Sequence, residues 1–449
     1  MDVNKNKRIT SYIGSITTAT FISRILGFIR DAMVAYLFGA TAFSDAFYAA
    51  YRIANLFRRL FGEGAFSSAF IPILSQYVAK DKKKSYKFIR IVMGNLLTIV
   101  LFLTFLCIIF APQLIYVLAS GFRNNPAQFT LTIKLTRIMM PYFIFISLAA
   151  CLMGVLQVHK KFFIPALAPL SLSLSIIIYI GIIVPFFLKG YAMSRLVIGL
   201  AVAVLIGGFG QLLFMVPSYL GKGYWVIPKI KFNHPGSIKV FRLMIPAMFS
   251  ISIDQINMFI SATFLASFLA KGSVTALYYS DRLTQLPLAL FGIAAASVAL
   301  PLFSEAIARK RIDDFKQILG HTVKIVGYLV IPSIVGLAVL GKPIIRLLFE
   351  RGAFDARATS MTYAALIPFA IGIIAFSLVK ILANAFFSMQ DMKKPVIISS
   401  ACMVLNVILA VILMQEFGIT GLASASTLAA VTNMVLLIIA LKKKIGSLF

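Results

Sequence analysis

Six arginines stand inside or beside long apolar runs: Arg24 and Arg30 in the first, Arg52, Arg58 and Arg59 in the second, and Arg282 far downstream. Placing an arginine at the centre of a membrane helix costs roughly 2.5–3.5 kcal/mol even on a lenient insertion scale. Several such residues in one chain call for a return, and the default return is a polar cavity that receives an anion. The guanidinium fork matches phosphate oxygens two at a time, which points to a phosphate-bearing ligand. Asp31, Asp45, Glu63 and Asp281 share these segments and leave the set net positive. Arg24 and Asp31 lie seven residues apart, on one helical face, with Gly27 between them where the helix could bend. Asp31 neutralises at most one of the two nearby arginines. Two readings stay open elsewhere: Arg58 and Arg59 either join the cavity or snorkel from the end of a kinked span, and Asp45 and Asp281 either face the ligand or pair structurally with arginine. Lys380 is open in the same way.

A second constellation is oxygen-rich. Asp254 sits in Ser252-Ile-Asp254-Gln255-Ile-Asn257, inside an apolar run. With Asn406 and either Ser424 or Thr427 it could hold a hard monovalent cation; the alternative is an aspartate bonded to its polar neighbours. No catalytic pattern is present, and the chain is not expected to be an enzyme. Phe61-Gly-Glu-Gly-Ala-Phe66 is glycine-rich but lacks the Lys-Ser/Thr of a phosphate loop. Cys107, Cys151 and Cys402 stand in separate apolar segments and suggest neither a disulfide nor a metal site, and His159, His234 and His321 are far apart.

The elements that carry these residues must be membrane helices. The chain has 449 residues, 60% hydrophobic and only 13% charged, with a mean hydropathy of +0.96. Soluble domains run about 45–50% apolar. The net charge of +29 would suggest nucleic acid in a soluble protein. Here most Lys and Arg fall in short gaps between apolar runs, so the positive-inside rule accounts for them and no nucleic-acid partner is expected. A bilayer needs about 20 apolar residues per crossing, which gives twelve expected spans centred near Thr20, Leu60, Thr104, Leu148, Ile176, Ala203, Met258, Phe291, Tyr328, Ile371, Leu405 and Val431. Alternate gaps divide the cations unevenly and place both termini in the cytoplasm. Arg24 interrupts the first run and no small-residue cleavage pattern follows, so an uncleaved first span is expected.

The two halves echo each other at an offset of about 230 residues. Tyr48-Ala-Ala-Tyr-Arg52-Ile matches Tyr278-Tyr-Ser-Asp-Arg282-Leu, Phe61-Gly62 matches Phe291-Gly292, and Ile71-Pro72 matches Leu300-Pro301. Six spans per half would insert the second half in the same orientation as the first, giving parallel repeats. The expectation is an all-α polytopic protein: an N-lobe over 1–221, a basic linker over 222–236 and a C-lobe over 237–449, around a central cavity in which Arg52 and Arg282 are pseudo-equivalent.

The motifs Ser23-Arg24-x-Leu-Gly27-x-x-Arg30-Asp31, Asp45-Ala-Phe47 and Asn55-Leu-Phe-Arg58-Arg59-x-Phe-x-Glu63-Gly64-Ala65-Phe66 resemble the MurJ (MviN) family of lipid II flippases. That family belongs to the multidrug/oligosaccharidyl-lipid/polysaccharide exporter superfamily. Tyr278-Tyr-Ser-Asp281-Arg282-Leu and Gln390-Asp391-x-Lys-x-Pro395 extend the likeness into the second half. The resemblance implies a lipid-linked peptidoglycan precursor, lipid II, carried to the outer leaflet of the bacterial inner membrane in cell-wall biogenesis. It places the cargo on Arg24, Arg30, Arg52 or Arg58, and Arg282, with Asp45 beside them. Two departures stand out. Gln285 occupies a position where the family usually has Glu, and the family's usual helices 13 and 14 are not expected here. No cofactor is expected beyond coupling to Na+, H+ or the membrane potential. Membrane lipids and the cell-wall synthesis machinery are the expected partners besides the cargo. A flippase for another polyprenyl-diphosphate oligosaccharide, or a cation/drug antiporter of the same superfamily, is the alternative.

Overall fold

The computed structural model describes residues 3–59, 64–224 and 227–446; side chains at 3–18, 20, 247 and 249–254 lie outside that description. Glu63 therefore falls outside the described residues. The first helices are α1 (Val3–Phe38), α2 (Ala42–Phe57), α3 (Ala65–Lys80), α4 (Lys82–Ile109), α5 (Ala111–Leu118) and α6 (Pro126–Met139). Then come α7 (Tyr142–Val158), α8 (Phe163–Leu167), α9 (Leu170–Ile178), α10 (Val184–Phe187), α11 (Met193–Leu220) and α12 (Pro235–Phe259). The remainder is α13 (Ser273–Pro287), α14 (Ala294–Ala308), α15 (Ile312–Phe349), α16 (Ala356–Ser388) and α17 (Lys393–Ile445). The fold is all-α, with no strand among the described residues. Eight described helical stretches are long and apolar enough to cross a membrane. The expected eleventh and twelfth spans are both in α17, which breaks at Gly418, where φ is 55° and ψ is −127°. A left-handed φ of this kind suits glycine and ends one helix so that another can start.

The chain divides into two compact units: residues 1–38, 42–117 and 122–255 form one, and 39–41, 118–121 and 256–449 the other. The division falls inside α12. Six element boundaries repeat at one interval: Phe38 and Phe268, Phe57 and Pro287, Lys82 and Ile312, Pro126 and Ala356, Val158 and Ser388, and Phe163 and Lys393 each stand 230 residues apart. Caps repeat as well. Asn125 accepts from the Gln128 amide at 3.4 Å to start α6, and Asp355 accepts from the Ala358 amide at 2.8 Å to start α16. Lys160 and Gln390 both adopt positive φ, 59° and 58°. In each turn the next amide, from Lys161 or Asp391, bonds the carbonyl five residues back, Leu156 or Phe386. Such a bond closes a helix end through a left-handed residue.

Each unit has its own core. In the first, Phe66, Phe70, Phe88, Phe143 and Leu152 pack together; in the second, Phe303, Phe315, Phe386 and Leu437 do. Helix α4 shows how the sequence builds this. Asp81 caps it by accepting from the Lys83 amide at 2.7 Å. Phe88, Val92, Leu96 and Val100 then recur every four residues and are all buried, a helical stripe. Phe70 and Phe88 stack at 5.9 Å and Tyr77 and Phe88 at 4.3 Å. Truncating Phe88 to Ala should cost about 3–5 kcal/mol.

Candidate functional site

Arg30 and Asp31 form an ion pair on α1. The Arg30 Nη2 donates to Asp31 Oδ1 at 2.6 Å and Nε at 2.9 Å. The Asp31 side chain is 2% exposed and that of Arg30 12%, so the pair sits where water screens it little. Two donors on one oxygen fix the orientation of the guanidinium, and bonds of this kind between charged groups are the strong ones. Arg24, two turns earlier, is exposed. Its exposure and its place on the Asp31 face leave it accessible to a charged ligand.

Helix α2 carries Asp45 and Arg52. Asp45 is buried in its first turn and Arg52 is half-buried near its last. Phe47, Tyr48, Ala49 and Ala50 bury the same helix, and Phe47 stacks on Tyr51 at 5.7 Å, so the charges are held on a fixed element. Arg58 Nε donates to Asn55 Oδ1 at 2.7 Å across the helix end, which orients its guanidinium. Arg59, next to it, is exposed.

In the second unit, α13 repeats α2 at the same distance along the chain. Arg282 is half-buried on it, as Arg52 is on α2. Beside Arg282, Gln285 Nε2 donates to Asp281 Oδ2 at 2.7 Å. That bond gives the family departure at position 285 a physical reading: an ionised glutamate could not donate it, and would repel Asp281 instead. The role of Gln285 could be read from the sequence only as a missing charge. Its four-residue spacing from Asp281 was the available signal. Lys380 is half-buried on α16.

The oxygen-rich constellation is assembled differently from the expectation. Asn406 is fully buried and donates to Asn257 Oδ1 at 2.6 Å and to Ser261 Oγ at 2.8 Å. Its own Oδ1 is buried without a hydrogen-bond partner. Thr427 Oγ is turned to the Pro368 carbonyl at 2.7 Å. The side chain of Asp254 lies outside the described residues. Among the described residues no group of three or more His, Cys, Asp or Glu could hold a metal. Ser261 was missed by sequence reading; it lies one turn beyond Asn257 and shares its face. Cys107, Cys151 and Cys402 are free and buried.

The family model described as "Lipid II flippase MurJ" matches residues 34–449. The chain belongs to the MurJ family of lipid II flippases. The probable lipid II flippase MurJ of Vibrio cholerae serotype O1 is 37% identical over 448 residues, covering 97% of this chain and 83% of its own. The lipid II flippase MurJ of Burkholderia cenocepacia is 34% identical over 437 residues, covering 96% and 83%. A solved lipid II flippase MurJ in an inward closed conformation superposes with a TM-score of 0.81 at 29% identity, over 96% of this chain and 89% of that one. An inward-facing multidrug-resistance MATE transporter of the MOP superfamily shares the fold, with a TM-score of 0.75 at 18% identity over 97% and 98%. Membership of the MurJ family and the apolar helices make this an integral protein of the inner membrane.

Proposed function

We propose that this protein flips lipid II, the polyprenyl-diphosphate-linked peptidoglycan precursor, from the inner to the outer leaflet by alternating access. One observation carries the reading: relatives named lipid II flippases are 37% and 34% identical to this chain over 97% and 96% of its length. The arginines supply the chemistry. Arg24, Arg30 and Arg282 clamp the diphosphate, Arg52 and Arg58 assist, and Asp31 fixes the Arg30 guanidinium in place. The headgroup crosses in water while the tail stays in lipid, because removing it from hydrocarbon would cost about 0.8 kcal/mol per methylene.

Both termini lie in the cytoplasm on this reading. The empty carrier is positive and feels the membrane potential, at about 2.3 kcal/mol per charge per 100 mV. A negative cytoplasm favours return to the inward-open state, and Na+ or H+ coupling through Asn406 and Asp254 would add to this. Partners in the cell-wall synthesis machinery would take the delivered precursor.

The test is a binding and flipping assay with purified protein, set against other polyprenyl diphosphates. Arg24→Ala and Arg282→Ala should abolish both binding and flipping of lipid II. Binding that survives both substitutions would remove the arginines from the site. Equal flipping of an unrelated polyprenyl-diphosphate oligosaccharide would move the assignment to that cargo class.

A further inference from the structure

The basic stretch after α11 is not a loose tether. Residues 227–231 lie against α4 in the first unit, held there by backbone. The Lys229 amide donates to the Arg90 carbonyl at 2.9 Å, and Arg90 Nε donates to the Ile227 carbonyl at 2.8 Å. Asn95, 1% exposed, grips Lys231 from both sides: its Nδ2 donates to the Lys231 carbonyl and its Oδ1 accepts from the Lys231 amide, both at 2.9 Å. The same Nδ2 bonds Ser237 Oγ at 2.9 Å at the start of α12. Gly94 makes the approach possible. A Cβ there would stand 2.5 Å from the Lys229 carbonyl oxygen.

The backbone is pinned, yet the side chains point away from the protein. Ile227, Ile230 and Phe232 are 53%, 62% and 51% exposed, and Lys229 and Lys231 between them are exposed too. The level at which this happens is informative. Helix α4 carries Lys82, Lys83, Lys84, Lys87 and Arg90 in its opening turns and has no charge from Ile91 to Ile109. The segment is bonded to α4 between Arg90 and Asn95, where charge gives way to hydrocarbon. Apolar side chains that alternate with lysine at that depth match an interface of acyl chains and phosphate groups.

We propose that Ile227–Phe232 is a docking strip for anionic phospholipids, with Ile230 and Phe232 inserted among the acyl chains and Lys229, Lys231 and Arg90 on the headgroup phosphates. Neighbouring lysines already make the ground positive: Lys231 and Lys87, after burial, hold the His234 imidazole below its ordinary value. An anionic headgroup is the counter-charge that such ground selects. The site differs from the cargo arginines, which lie on α1, on and just after α2, and on α13.

The three native cysteines are buried, so an Ile230→Cys variant of the full chain can be labelled alone with an environment-sensitive thiol fluorophore. In nanodiscs of zwitterionic lipid, a minor fraction of brominated phosphatidylglycerol is compared with the same fraction of brominated phosphatidylcholine. The anionic lipid should quench several-fold more strongly, and Lys229→Gln with Lys231→Gln should bring the two lipids close to equal quenching, since each lysine near an anionic surface is worth about fivefold. Raised salt should do the same. Equal quenching by both lipids would overturn headgroup selection. Water-like, unquenched emission would overturn the membrane contact and point to a protein partner instead. Both variants alter only exposed side chains, and retained flipping activity would confirm that they fold.

Discussion

Asn406 offers a sharp test of the second polar constellation. Its amide uses both hydrogens, on half-buried Asn257 at 2.6 Å and buried Ser261 at 2.8 Å. Asn406→Leu keeps a similar shape and removes both bonds. Each is worth about 0.5–1.5 kcal/mol net, and orphaning the Asn257 and Ser261 acceptors adds to the loss. Measured hydrogen bonds between membrane helices average only about 0.6 kcal/mol, because the unfolded chain in lipid also finds partners. We therefore expect about 2 kcal/mol, which for a unit of this size lowers Tm by about 4–8 °C. Thermal unfolding in detergent measures it. The unsatisfied Asn406 Oδ1 sharpens the experiment. If that oxygen ligates a monovalent cation, Na+ at a hundred times its Kd should raise wild-type stability by about 2.7 kcal/mol relative to a bulky organic cation. Asn406→Leu should lose that increment, while Asn406→Asp should lose stability in the organic cation and regain it in Na+. A leucine variant as stable as wild type would refute the hydrogen-bond reasoning. An Na+ effect that persists in it would place the cation elsewhere.

Gly94→Ala should push 227–231 off α4, since a Cβ would sit 2.5 Å from the Lys229 carbonyl oxygen; faster amide exchange at Lys229 and Lys231 would report it. Lys160 and Gln390 pay for left-handed backbone that glycine adopts freely, so Lys160→Gly and Gln390→Gly should each gain up to about 1 kcal/mol in thermal unfolding. The Asp391 carboxyl lies below its ordinary value, chiefly through the hydrogen bond from Lys444 Nζ at 2.6 Å. A depressed carboxyl stabilises the fold above its unfolded value, and that contribution fades as pH falls through the lower folded one. Asp391→Asn should cost at most about 1 kcal/mol near neutrality, as exposed pairs do, and flatten the acid limb of the stability profile. His159 and His234 are both lowered, first by burial and then by Lys222 and Lys82 or by Lys231 and Lys87. The neutral rings favour folding above the ordinary imidazole value, and this is lost as pH falls towards the folded values. Salt should raise both in an NMR titration by screening the lysines.

Some of this was legible before any coordinate. Arginine inside an apolar run is costly enough to be read directly, and Arg52 and Arg282 do take matching places on α2 and α13. The repeat was visible in short motifs, and the helix ends follow it residue by residue. What the sequence hid depends on third dimensions. Asp31 takes its neighbour Arg30, a choice that helical-face geometry did not make. Asn406 reaches Asn257 and Ser261, 145 or more positions away, and no periodicity announces such a meeting. The stretch around Lys229 has the composition of a linker, because Gly and Pro mark turns whether or not a helix waits alongside. Arg90, Gly94 and Asn95, unremarkable on α4, record that it is bound.

The recurring spacing of 230 has a further meaning. A helix turns about 100° with each residue, so one residue gained or lost in a turn would rotate everything after it by that angle. Where two helix boundaries stand 230 residues apart, as at Lys82 and Ile312 or Phe163 and Lys393, the paired helices enter in the same rotational phase. The short turns at Lys160 and Gln390 thus behave as the teeth of a gear. They set which way the next side chains face, and a single inserted residue should silence transport without unfolding either unit.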